Sequence, residues 1–153
     1  MTIHRYPKTD YLKFENSSDS KILLNICNDS EYNVTDSNIF WSNYYTKIEK
    51  DFRKQHQKKM GEVFYTEIFS YQIVCNMICV DWPKTYYNLK PFKLKYFQRC
   101  CQKCYNYMQE NNIKTIYTPK LGTEILEGNW NEILNTLIKE FNDCTLYLFY
   151  TIE

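Results

Sequence analysis

The stretch "TPKLGTEILEGNW", residues 118–130, holds two of the three glycines in the chain, Gly122 and Gly128; the third is Gly61. Before it stands a strand-like run, "IKTIYT" at 113–118. After it, Asn129 precedes a helical pattern, with Glu132 three residues on as its capping-box partner. Ile133, Leu134, Leu137, Ile138 and Phe141 give that helix an apolar face. A strand leading through a loop of about ten residues into a capped helix is longer than most such joints. In open α/β sheets this joint is where ligands bind, outside the carboxyl ends of the strands. The first turn of a helix offers unpaired N–H groups and a positive pole, which suit phosphate. Two readings of residues 119–128 therefore stand side by side. One is a phosphate-cradling loop; the other is a plain turn whose glycines supply positive φ.

Working outward, 10–14 (DYLKF) and 21–27 (KILLNIC) read as strands, the second apolar enough for burial on both faces. Residues 28–38 are polar and read as a loop. Phe40, Tyr44, Ile48 and Phe52 recur at four-residue spacing and predict a helix over 39–57. Residues 62–69 and 71–79 follow as strands, with Gly61 as a turn before the first. Two prolines make 80–91 a loop. A helix over 92–110 carries Phe97, Cys100, Cys101, Cys104, Tyr105 and Met108 on one face. Residues 144–151 close the chain as a strand. The alternation in the second half predicts crossover connections. The fold expected is α/β: a three-layer α/β/α sandwich with a mixed, largely parallel sheet, formed by residues 1–153 as one domain.

The length of 153 residues suits one domain, and an apolar fraction of 44% is ordinary for a globular chain. Lys+Arg at 19 against Asp+Glu at 18 gives no charge reason for DNA or a membrane surface as partner. No run reaches the ~20 apolar residues that cross a bilayer, and the N-terminus lacks the core of a secretory signal. Seven cysteines, mostly inside apolar patterns, read as reduced thiols and predict a cytoplasmic protein. Alanine is absent while Tyr, Asn, Lys and Ile abound, the imprint of an AT-rich genome such as that of a virus, phage or parasite. The Cys100-Cys101-x-x-Cys104 spacing lacks a second ligand pair and fits a core face, so no metal is expected, nor any cofactor. Lys84, Lys90, Lys93, Lys95 and Arg99 interleave with Tyr86, Tyr87, Phe92 and Tyr96. Such a mix can bind nucleic acid, but a solvated face is the preferred reading.

Strand, Pro119-Lys120-Leu121-Gly122, short loop, then Gly128-Asn129-Trp130 and a helix resembles the second ligand loop of macro domains. Thr9-Asp10-Tyr11-Leu12 resembles that family's Gly-Asp pair, and Leu24-Asn25-Ile26-Cys27-Asn28-Asp29 its strand ending in Asn. Cys75-Asn76-Met77-Ile78 resembles its Asn-Met strand, and Lys58–Val63 its turn into that part of the sheet. The resemblance implies binding of ADP-ribose or a related nucleotide. Asp10 would take the adenine amino group, Asn28 would approach the distal ribose, and Tyr150 would stack on adenine. Pro119, Gly122, Thr123, Glu124, Ile125, Leu126 and Gly128 would line the diphosphate.

Departures from the family pattern bear on activity. The segment after Asn28 has no glycine where the family's first loop is glycine-rich. Glu124 stands where a second loop glycine belongs, and its carboxylate opposes a diphosphate. Some hydrolytic members use an Asp four residues past the first loop glycine, here Leu126, and a Lys whose counterpart falls near Val80 or Asp81. Glu127 and Asp81 remain as candidate general bases. The alternative to nucleotide binding is a non-catalytic macro domain that acts through protein contacts, as an inhibitor or decoy.

Overall fold

The computed structural model describes residues 1–30, 33, 35–55, 58–123 and 126–150. Strand β1 (Thr2–Tyr6) leads through a 3-10 turn (Lys8–Asp10) into the one-turn helix α1 (Leu12–Glu15), and β2 spans Lys21–Asn28. Helices α2 (Asp36–Ser42) and α3 (Thr46–Lys54) precede the hairpin β3 (Val63–Phe69) and β4 (Gln72–Val80). Then come α4 (Leu94–Glu110), β5 (Thr115–Pro119), α5 (Trp130–Glu140) and β6 (Thr145–Phe149). The six strands form one sheet in the order β1-β6-β5-β2-β4-β3, in which only β3 runs antiparallel to its neighbour. The expected mixed, largely parallel sheet between helical layers is present.

Side-chain alternation along a strand sorts the core into two layers. From β2, Ile22, Leu24 and Ile26 join Phe97, Cys100, Cys101, Cys104, Met108, Ile133 and Leu137 from α4 and α5. Leu23 on the other face joins Tyr11, Phe40, Trp41, Tyr45, Ile48, Val74, Tyr117 and Phe149. The cysteines of α4 are thus core residues. Burial raises the Cys101 thiol well above its ordinary range, which keeps it protonated.

Four expectations need correction. Residues 10–14 are not a strand: they span the end of the 3-10 turn and α1. Tyr11 and Phe14, three residues apart, pack into the same aromatic layer, a helical spacing. The N-terminal strand is β1, whose polar sequence TIHRY suits an edge position. The segment 39–57 is two helices, because the four-residue apolar spacing continues across a break at Asn43–Tyr45 and both pieces bury the same side. Their first turn lies inside the stretch read as loop, since α2 starts at Asp36.

Candidate functional site

Five parallel strands bring their carboxyl ends to one edge of the sheet, at Tyr6, Phe149, Pro119, Asn28 and Val80. The described residues that follow them, 7–10, 120–123, 29–30 and 81–93, with Tyr150, therefore emerge on a single side. Asp10, Asn28, Asp81, Tyr150 and the glycine loop all belong to that edge.

The middle of the edge is held apart. β2 pairs with β5 only at Ile22↔Ile116 and Leu23↔Tyr117. Beyond that point α2 supplies the bonds that a neighbouring strand would otherwise make. Trp41 Nε1 donates to Leu24 O at 2.7 Å, Ile26 N donates to Ser37 Oγ at 2.9 Å, and Thr35 Oγ1 donates to Ile26 O at 2.6 Å. Thr35 also caps α2 by accepting from Asn38 N at 3.2 Å. Behind this seam lies a buried amide network. Asn25 Nδ2 donates to Asn76 Oδ1 at 2.9 Å, Ser37 Oγ donates to Asn25 Oδ1 at 3.0 Å, and Asn76 Nδ2 donates to Thr66 Oγ1 at 3.1 Å. Buried polar groups persist where they are paired, and here they fix the position of α2 against the sheet.

The two glycines of the loop have separate reasons. Gly122 has φ +71°, and a Cβ there would meet the Phe92 ring at 2.7 Å. Gly128 donates its amide to Gly122 O at 2.7 Å, and a Cβ on it would fall 2.1 Å from that oxygen. The pair closes the neck of the loop. Leu126 N donates to Thr123 O at 3.2 Å, and Leu126 O accepts from Phe92 N at 3.1 Å. The Leu126 side chain, like that of Leu121, is buried in the core beneath α4 and α5. Asn129 Oδ1 accepts from Glu132 N at 3.2 Å, so the expected cap of α5 is formed. Lys120 Nζ lies 5.7 Å from the centre of the Trp130 ring.

Across the parting of β2 and β5, the Asp36 carboxylate accepts from Gly122 N at 3.4 Å and from Ser37 N at 2.9 Å. The first loop thus touches the second through a negative group. The sequence reading passed over Asp36, although Thr35-Asp36-Ser37-Asn38 carries the signature of a helix start. Pro119 is buried and pairs with Phe149 in the sheet. Thr123 is half-buried, while Glu124 and Ile125 lie outside the described residues. Asn28 is fully buried, and its Nδ2 donates to Ser30 Oγ at 2.6 Å. Asp10 sits at the end of the 3-10 turn and pairs with Lys13 at 3.2 Å. Tyr150 is half-buried beyond β6, its amide donating to Tyr6 O at 3.0 Å.

The two candidate bases are not brought together on a shared target. Glu127 pairs with Lys84 at 2.8 Å, which holds its carboxyl below the usual range. Asp81 is exposed, with its main chain bonded to Pro91 O and to the Asn88 side chain. A carboxylate the sequence reading did not single out, Asp29, has its pKa raised by burial and then by the nearby Asp81 charge.

Comparison with known proteins places the chain. The structure of a protein of unknown function from Bacteroides thetaiotaomicron is similar over 98% of both chains, at 18% identity and a TM-score of 0.84. A macrodomain protein from Streptomyces coelicolor matches 97% of this chain and 98% of its own, at 14% identity and a TM-score of 0.73. The macrodomain of Mycobacterium tuberculosis DarG covers 88% of this chain and 91% of its own, at 16% identity and a TM-score of 0.71. No curated protein sequence matches the chain. The family model of the macro domain matches residues 42–137, from the end of α2 into α5, and the chain belongs to the macro domain family.

Proposed function

We propose that this macro domain is a binding module for ADP-ribose or a related nucleotide, held across the carboxyl edge of the sheet. The observation that carries this reading is the convergence on one edge of Asp10, Asn28, the 119–128 loop and Tyr150, in a chain of this family. Asp10 takes the adenine amino group, Tyr150 stacks on the base, and the diphosphate lies against the 119–128 loop. Asn28 approaches the distal ribose by exchanging its Ser30 partner. The amides of Leu126 and Gly128 already have acceptors within the loop. A pyrophosphate reaches the Gly122 amide only by displacing the Asp36 carboxylate. The reading favoured is recognition of an ADP-ribose modification over its removal. Leu126 is apolar, and the Lys84 partner holds Glu127 ionised and engaged.

Calorimetric titration with ADP-ribose tests the proposal. Binding is expected, and Asp10→Ala should weaken it about tenfold, the worth of one charge-assisted hydrogen bond. An unchanged affinity in that variant would mean that adenine lies elsewhere. Absence of heat with ADP-ribose and with AMP up to about 1 mM would remove the nucleotide reading. It would leave the second one, a non-catalytic macro domain acting through protein contacts as an inhibitor or decoy. The contact of Asp36 with Gly122 and the glycine-free segment 29–41 favour that alternative.

A further inference from the structure

Charge that balances over the whole chain is segregated locally. Residues 82–109 contain no Asp or Glu, yet carry Lys84, Lys90, Lys93, Lys95, Arg99 and Lys103. Four of these cations gather around the start of α4. That helix has no acidic residue in its first turn and no side chain capping its amino end. Lys84 and Lys103, further out, are each paired at 2.8 Å, with Glu127 and Glu62, and the Glu127 charge also lies near Lys90. Lysines at a helix amino terminus oppose the helix dipole, so α4 itself supplies no compensation. Beside it lies an open groove of about 420 Å³ lined by Lys90, Phe92, Lys93, Leu94, Lys95 and Tyr96. Its lining combines three lysines with Phe92, Leu94 and Tyr96.

The loop before the groove is a built support. Thr85 and Asn88 exchange both backbone hydrogen bonds at 3.1 Å, which puts Tyr86 and Tyr87 at the tip of a two-residue turn. Asn88 is fixed by donating Nδ2 to Asp81 O at 2.7 Å and by accepting from Lys93 Nζ at 2.8 Å. Tyr86 is 85% exposed, Tyr87 94% and Leu89 61%, a large apolar display for one short turn. These bonds pin the main chain of the turn, so docking beside it orders little backbone.

We infer that the groove at Lys90–Tyr96, a few residues beyond the Tyr86–Tyr87 tip, docks an acidic protein segment bearing a large apolar side chain. The apolar side chain enters between Leu94 and Tyr96, and flanking carboxylates meet Lys90 and Lys95. Single-stranded nucleic acid suits this surface less well, because bases need free ring faces. In the groove itself Lys95 and Arg99 already lie 5.0 and 5.3 Å from the centre of the Tyr96 ring. The inference does not depend on what the 119–128 loop binds.

The test uses the full chain and a fluorescent peptide, Glu-Asp-Glu-Asp-Glu-Phe-Leu-Glu-Asp-Glu-Asp-Glu, read by anisotropy. Saturable binding is expected, weakened about tenfold by Lys90→Glu with Lys95→Glu, and similarly by Ser-Ser in place of the peptide's Phe-Leu. Both lysines are exposed, so the circular dichroism of the variant should match that of the parent. Amide chemical shifts on peptide addition to the unsubstituted protein should centre on residues 84–96. No binding up to about 1 mM peptide overturns the inference. So does binding indifferent to the charge reversals, or shifts centred on 119–128. Tighter capture of oligothymidylate, abolished by the same reversals, would assign the surface to nucleic acid instead.

Discussion

Gly128 has a role that backbone freedom alone does not explain. Its hydrogen faces the Gly122 carbonyl oxygen at a distance where no Cβ fits, because the obstacle is main chain and cannot rotate away. Gly128→Ala should therefore lower stability by about 2–3 kcal/mol through forced opening of the loop neck. Gly61 is a useful contrast. It has φ +89°, but a Cβ there meets only side-chain atoms of Tyr96 and Arg99, at 3.3 Å or more. Gly61→Ala should cost about 1–2 kcal/mol, the left-handed penalty alone. Urea midpoints of the two variants check the difference, and equal losses would contradict this account. Sequence placed Gly122 and Gly128 at the right joint, yet could not show that the second amide serves the first carbonyl. That bond is a closure across six residues which no local rule specifies.

Helix α2 shows where reading by pattern stops. Apolar periodicity found β2, β4, β5, β6, α4 and α5, since their buried faces are continuous in sequence. It missed β1, an edge strand with polar side chains, and it fused α2 with α3 because both bury the same stripe. The seam between α2 and β2 was illegible for another reason. Asn25 and Asn76 sit inside strands that read as apolar, and their partners, Ser37, Asn38 and Thr66, come from other elements. Of the groups at this edge, Asp10, Asn28 and the glycine loop could be named from motifs; the helix start at Asp36 was legible, but its contact with Gly122 was not. Thr35→Val tests this element. It keeps the side-chain volume but removes the cap on Asn38 N and the donor to Ile26 O. The expected loss is about 1–2 kcal/mol, one cap plus the stronger of two hydrogen bonds to Ile26 O, which keeps a 3.4 Å bond from Asn33 Nδ2. A loss below about 0.5 kcal/mol in thermal or urea melts would mean that water replaces the hydroxyl.

At the scale of the molecule, buried thiols and phenols set the response to alkali. Burial raises the pKa of Cys27, Cys75, Cys79, Cys100 and Cys101, and Cys144 is pushed up to about 12. Burial likewise brings Tyr45 and Tyr117 to about 12 and raises Tyr11 and Tyr65. In the unfolded chain the thiols ionise from about pH 8.5 and the phenols from about pH 10. Above those values the folded state holds more protons than the unfolded one, so stability falls as pH rises. Each group contributes up to about 1.4 kcal/mol per pH unit until its own folded pKa is reached. Lys21 acts in the opposite sense, its pKa lowered by burial, and offsets one such group. Urea midpoints should be flat between about pH 7 and 8 and drop steeply between about pH 9 and 10.5. A midpoint unchanged at the higher pH would mean that the thiols are not shielded from water.

The gap between β2 and β5 has a consequence for how such a cleft can vary among descendants of one fold. Two strands joined by a backbone ladder are held about 4.8 Å apart and separate only by breaking its bonds. Here the spacing is maintained by an indole, two hydroxyls and a carboxylate, each replaceable by a single codon change. The spacing of these two strands can drift in small steps while the rest of the sheet stays in place, so it is a heritable dimension largely independent of the scaffold that surrounds it.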